Sequence, residues 1–233
     1  MKEADIEAEA MKPDNKDAKF ILGVLAMEGT HPDNVVKNEK KGINWLKEAA
    51  KVGQLDAQEY LAFYDIKFSA TPNLKKIIGY LENACKGNAS ARAYSTLAEL
   101  LLSTDKSEST NKKAFKLYSA AAEQGDLIAK YWIGVLYHRG SGVEKDLDKA
   151  LEILHEASSL GNSQADFELF DIYTNEPEKK DMKKGYLYLL DSMENGITAF
   201  TNATKLFKDN ISELKQVFID RKAIKGVDSD EEI

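Results

Sequence analysis

Gly140 and Gly142 stand two residues apart in LYHRGSGVEKDLDKALEIL, residues 136–154. A glycine pair ahead of a helix can bring backbone N–H groups up to a phosphate. That chemistry needs more than the pair. A dinucleotide cradle requires a strand, then G-x-G-x-x-G, then a helix. Here the preceding stretch is AKYWIGVLYHR, of helical period, and position 145 is Lys. The G-K-[ST] of a P-loop is absent as well. The pair therefore reads as a turn. Gly140 ends one helix, Gly142 permits a tight bend, Val143 tucks into the core, and Asp146 caps the next helix.

The remaining reactive residues are few. His31, His138 and His155 lack the i, i+4 partner of an H-E-x-x-H zinc site. His31 lies in a long turn. His155 is expected to face solvent on a second helix. His138 stands beside Arg139 at the end of a first helix, where surface decoration and a partner contact are both open. RGSGV lacks the spacing of a serine nucleophile elbow. DLDKALE and NEPEKKD lack the glycine and closing glutamate of an EF-hand loop. Cys85 is the one cysteine of the chain. It excludes an intramolecular disulfide and a multi-thiolate metal site, and it reads as a small buried apolar side chain. The expectation is a protein without catalysis, cofactor or metal.

The bulk composition agrees. The formal net charge is −7, with 43% hydrophobic and 30% charged residues. Nucleic-acid affinity rests on Lys and Arg neutralising phosphates, so this balance argues against DNA or RNA. The N-terminal MKEADIEAEA is charged and has no apolar core of a secretory signal. No run of about 18 apolar residues predicts a membrane span. A cytoplasmic location is expected, although a chain whose signal had been removed would read the same way.

What positions these residues is a repeat. An alanine precedes Leu or Ile and then a small residue at Ala18–Leu22–Gly23, Ala57–Leu61–Ala62, Ala93–Leu97–Ala98 and Ala129–Ile133–Gly134. Ala165–Leu169–Phe170 follows in the same frame. The steps are 39, 36, 36 and 36 residues. A second landmark trails the first in KGINWLKEAAKVG, IIGYLENACKG, KAFKLYSAAAEQG, KALEILHEASSLG and KGYLYLLDSMENG. Trp45, Tyr80 and Tyr188 recur there, and Trp132 and Tyr137 on a first helix, as periodic core residues. Each unit is two apolar-periodic helices joined by a turn, with glycine closing the second helix. Small residues fall where helix axes approach closely. Neither helix can bury its stripe alone, so stacked neighbours supply the core. This predicts an all-α, right-handed superhelical solenoid.

AKYWIGVLYHRGSGVEKDLDKALEILHEASSLGN resembles a Sel1-like repeat, a relative of the tetratricopeptide repeat. The resemblance is carried by Ala129, Ile133, Gly134, Tyr137, Gly140, Gly142, Val143, Asp146, Lys149, Ala150, Ile153, Ala157 and Gly161. The other units match more loosely, with turns such as SATPN, STDKSESTN and TNEPEKKD. The expected organisation is an N-terminal cap over 1–17, then repeats over 18–56, 57–92, 93–128, 129–164 and 165–198. Capping helices are expected over 199–225 and an acidic disordered tail over 226–233.

The resemblance implies a scaffold or adaptor that binds a partner protein or peptide on a concave face lined by first helices. By analogy the lining comprises Tyr60, Phe63, Lys67, Arg92, Glu99, Tyr131, Val135, His138, Arg139, Glu168 and Asp171. Two other readings stay open. One is a structural subunit held by its convex face or caps; the other is an immunity or inhibitor protein that neutralises an enzyme. Cysteine-rich members linked to β-lactam binding staple each repeat with a disulfide, and one cysteine removes that resemblance.

Overall fold

A computed structural model describes residues 3–29 and 37–194. His31, the expected closing helices over 199–225 and the acidic tail lie outside them. Among the described residues there are eleven α-helices and no strand. They are α1 Glu3–Ala10, α2 Lys16–Glu28, α3 Glu39–Lys51, α4 Leu55–Phe68, α5 Leu74–Ala84 and α6 Ala91–Thr104. Then follow α7 Glu108–Glu123, α8 Leu127–Arg139, α9 Leu147–Ser159, α10 Ser163–Asn175 and α11 Met182–Glu194, with a 3-10 turn at Pro177–Lys179. The fold class is the expected α/α helical repeat. The chain divides after Asp126 into two compact units, α1 to α7 and α8 to α11.

The helices start where short polar side chains can bond the free N–H groups of a first turn. Asn15, Asn38, Asn73, Ser90, Ser107, Asp146 and Asn162 each accept a backbone N–H from the turn they precede. Asp146 caps α9 as the sequence predicts, accepting from Lys149 N at 3.0 Å. The ends follow glycine. Gly53, Gly125 and Gly161 hold φ of 84°, 88° and 86°, the left-handed region open to a residue without Cβ. Gln54 N donates to Ala49 O, Asp126 N to Ala121 O and Asn162 N to Ala157 O, each closing a second helix in the same way. Gly140 and Gly142 also have positive φ, and the turn they make returns Asp146 N to Tyr137 O at 3.0 Å. Val143 is only half-buried there.

The alanine column is the core. Ala57, Ala93, Ala129 and Ala165 of the first helices are fully buried, as are Ala49, Ala121 and Ala157 of the second. Glycine takes the closest approaches. A Cβ on Gly23 would lie 2.7 Å from Leu46 Cγ, and one on Gly134 would lie 2.6 Å from Leu154 Cγ. The recurrent aromatics Trp45, Tyr80 and Tyr188 are only half-buried. The fully buried position is one residue later, at Leu46, Leu81, Tyr118 and Leu154. At the start of the chain α1 packs on α2, where Ala10 meets Ala18 and Leu22.

Candidate functional site

The exposed face of α4 comes from two neighbouring stripes. On a helix, residues four apart lie one above the other. Tyr60, Tyr64 and Phe68 make one stripe, and Glu59, Phe63 and Lys67 make the next. With Asp56, Asn88, Ala89, Ser90 and Gln124 these side chains wall an open groove of about 630 Å³ in the first unit. Phe68 is 61% exposed, and its ring lies 5.0 Å from that of Tyr64. The Tyr64 hydroxyl donates to Glu39. That bond, first, holds the Tyr64 phenol above its ordinary pKa; burial, then Glu28 and Glu39, does the same to Tyr60. Glu59 accepts from the N–H and the hydroxyl of Ser90, at 3.2 and 2.5 Å, which fixes the start of α6 to the wall of the groove.

Three expected residues therefore line one cavity: Tyr60, Phe63 and Lys67. Arg92 joins them at the rim, its guanidinium carbon 4.4 Å from the Phe63 ring centroid. Glu99 is exposed on α6. Desolvation of its carboxyl, then the Asp126 carboxylate, raises its pKa. Sequence reasoning passed over Tyr64, Phe68, Ser90 and Gln124 as lining residues. The four-residue ladder Tyr60–Tyr64–Phe68 was the signal that could have found two of them.

In the second unit the expected face is in large part core, and three assignments need correction. Val135 is 1% exposed and cannot meet a partner. α8 is apolar almost all round, with Ala129, Ile133, Gly134, Val135 and Leu136 buried, and a helix of that kind has no free face there. His138 and Glu168 are also buried, at 6% and 5% exposure. His138 pairs through Nδ1 with Glu168 Oε1 at 2.8 Å and through Nε2 with Glu176 Oε1 at 3.1 Å, donating to both carboxylates when it is an imidazolium. The Glu168 bond, first, raises the His138 pKa against the opposing cost of burial, and Glu176 and Asp171 add to it. Arg139 is exposed and reaches Glu168 at 3.5 Å, while Lys145 pairs with Glu176 at 2.8 Å. Tyr131 is half-buried against the core, its phenol pushed up to about 12 by burial, then by Glu168. Asp171 is half-buried at the edge of this network.

His138, Glu168 and Asp171 offer donor atoms within 4.8 Å of one another. Both imidazole nitrogens already serve carboxylates, so the cluster is satisfied as an ion network. His155 is corrected too. It is half-buried rather than solvated, and lies between the hydroxyls of Tyr173 and Tyr188, at 3.0 and 2.8 Å. A neutral imidazole donates from one nitrogen and accepts at the other, which suits two phenols. Burial, then Lys184, lowers its pKa. No helix among the described residues is long and apolar enough to cross a membrane.

The Sel1 repeat family pattern matches residues 16–54, 109–126 and 127–162. A solved Sel1 repeat protein from Oxalobacter formigenes is 26% identical, with a TM-score of 0.64 over 93% of this chain and 92% of that one. Chitin synthase regulatory factor 3 of Schizosaccharomyces pombe is 36% identical over 63 residues, 27% of this chain and 7% of that protein. DAP3-binding cell death enhancer 1 of Rattus norvegicus is 26% identical over 137 residues, 59% of this chain and 19% of that protein. The chain thus spans a minor part of these two curated relatives.

Proposed function

We propose, for a chain built of Sel1 repeats, a non-catalytic scaffold or adaptor that holds a partner protein or peptide on the exposed face of its first helices. Sel1 repeat proteins typically mediate protein–protein interaction. The observation that carries the reading here is the α4 groove, an open cavity walled by half-buried Tyr60, Phe63 and Tyr64 and exposed Phe68. Accessible aromatic residues with an Arg beside them are enriched at interface hot spots. A relative named for binding DAP3 is consistent with this role.

The test is affinity capture from the native source with the full chain, comparing wild type with Phe63→Ala/Phe68→Ala by mass spectrometry. A partner held by wild type and lost in the variant, at unchanged helicity, supports the groove. A partner kept by both moves the interface elsewhere and favours the structural-subunit reading.

A further inference from the structure

The α4 groove is polarised along its length. Among the described residues the carboxylates that line it, Asp56 and Glu59, lie toward the start of the helix and already accept hydrogen bonds from Gln54 and Ser90. Lys67 lies eight residues beyond Glu59, about 12 Å at the rise of an α-helix. Lys67 stands at that end and Arg92 midway, at Phe63, each set on an aromatic ring. The Lys67 ammonium is 5.1 Å from the Phe68 centroid, and the Arg92 guanidinium carbon is 4.4 Å from that of Phe63. A ring quadrupole orients a cation without neutralising it.

Among the described residues neither Lys67 nor Arg92 has a carboxylate within ion-pair reach. Some other cations of the unit are matched, Lys41 with Glu7 at 2.6 Å, Lys76 with Asp65 at 2.9 Å and Lys113 with Glu82 at 2.6 Å. From its middle to its far end the groove therefore presents two held cations outside any ion pair, beside the aromatic stripe of Tyr60 and Tyr64. A guanidinium and an ammonium in that setting favour a carboxylate, which accepts from both.

We propose that this groove takes a short segment of a partner protein in which an acidic side chain stands close to an aromatic or large aliphatic one. The carboxylate sits at Lys67 and Arg92, and the apolar side chain lies against Tyr60 and Tyr64. This deepens the partner-binding reading of the same groove and rests on it. A basic segment fits less well, because among the described residues the lining carboxylates Asp56 and Glu59 are already engaged and lie at the other end, and Glu39 is taken up by the Tyr64 hydroxyl.

The experiment pans a random displayed peptide library on the full chain, as wild type, Lys67→Gln/Arg92→Gln, Lys67→Glu/Arg92→Glu, Phe63→Ala and Tyr60→Ala, each checked for helicity. Selected peptides are then titrated by fluorescence polarisation. Wild type is expected to enrich Asp or Glu within about four residues of Phe, Tyr, Trp or Leu, a separation an extended segment can span in the groove. Such peptides lose about 10-fold or more in affinity on the double Gln variant. The charge-reversed variant selects Lys or Arg in the acidic place. Groove-dependent peptides without an acidic residue, or acidic peptides indifferent to both charge variants, overturn the inference alone. Peptides that bind Phe63→Ala and Tyr60→Ala as they bind wild type, or a library that yields none, overturn the groove reading with it. Self-association of the chain that competes with selected peptides would make a second copy the occupant and also overturn the proposal.

Discussion

His138 and His155 carry opposite pH signatures within the second unit. The folded pKa of His138 is raised above the ordinary 6.5 by Glu168 first. Its contribution is therefore fully present below about pH 6.5 and is lost as pH rises through the raised value. The folded pKa of His155 is lowered from 6.5 by burial. Its contribution is present above about pH 6.5 and is lost as pH falls through the lowered value. Melting temperature followed against pH should show His138→Asn flattening the alkaline limb and His155→Gln flattening the acid one. Equal slopes in variant and wild type would contradict the assignment. Truncating His138 to Ala also leaves Glu168 buried without its nearest donor, at a cost of roughly 3 kcal/mol. The Cys85 thiol, pushed up to about 12 by burial and then by Glu59, should react slowly with a disulfide reagent near pH 8 until the chain unfolds. Rapid labelling of the native protein would show that the site opens locally.

At the scale of the helix, the tight contacts are made by glycine. Gly134→Leu forces a side chain into Leu154 and should cost roughly 1–3 kcal/mol, read as a lower melting temperature. Asp146→Ala removes the cap of α9 and should cost about 1 kcal/mol. An unchanged melt for Gly134→Leu would refute the packing described for α8 and α9. These elements were legible in the sequence because a repeat writes the same contact several times. Ala129, Gly134 and Gly161 each had small counterparts in the repeat frame, Asp146 stood where a cap is needed, and their roles follow from size, cap chemistry and φ. The buried ionic network was not legible in that way. Glu168 and Glu176 meet His138 from 30 and 38 residues away, and no periodic signal marks such a pair. Val135 misled for a related reason. A first-helix position predicts a free face only where the helix has one, and α8 is apolar on nearly every side. On α4 the same rule placed Tyr60, Phe63 and Lys67 in one groove, because polar and aromatic residues alternate there with the alanine stripe.

At the scale of the whole chain, the net charge of −7 makes the cationic end of the α4 groove a local exception. A partner steered there by charge should bind more weakly as salt is raised, with the association rate falling more than the dissociation rate rises. Arg139→Gln, on the exposed end of α8, should leave the helicity and a groove-bound partner unaffected; lost binding would place the interface in the second unit. The central claim, that α4 is the partner surface, is tested most directly by hydrogen exchange of the full chain with and without its captured partner. The account predicts new protection concentrated in residues 55–68 and 88–92. Protection absent there and gained on other helices would contradict it.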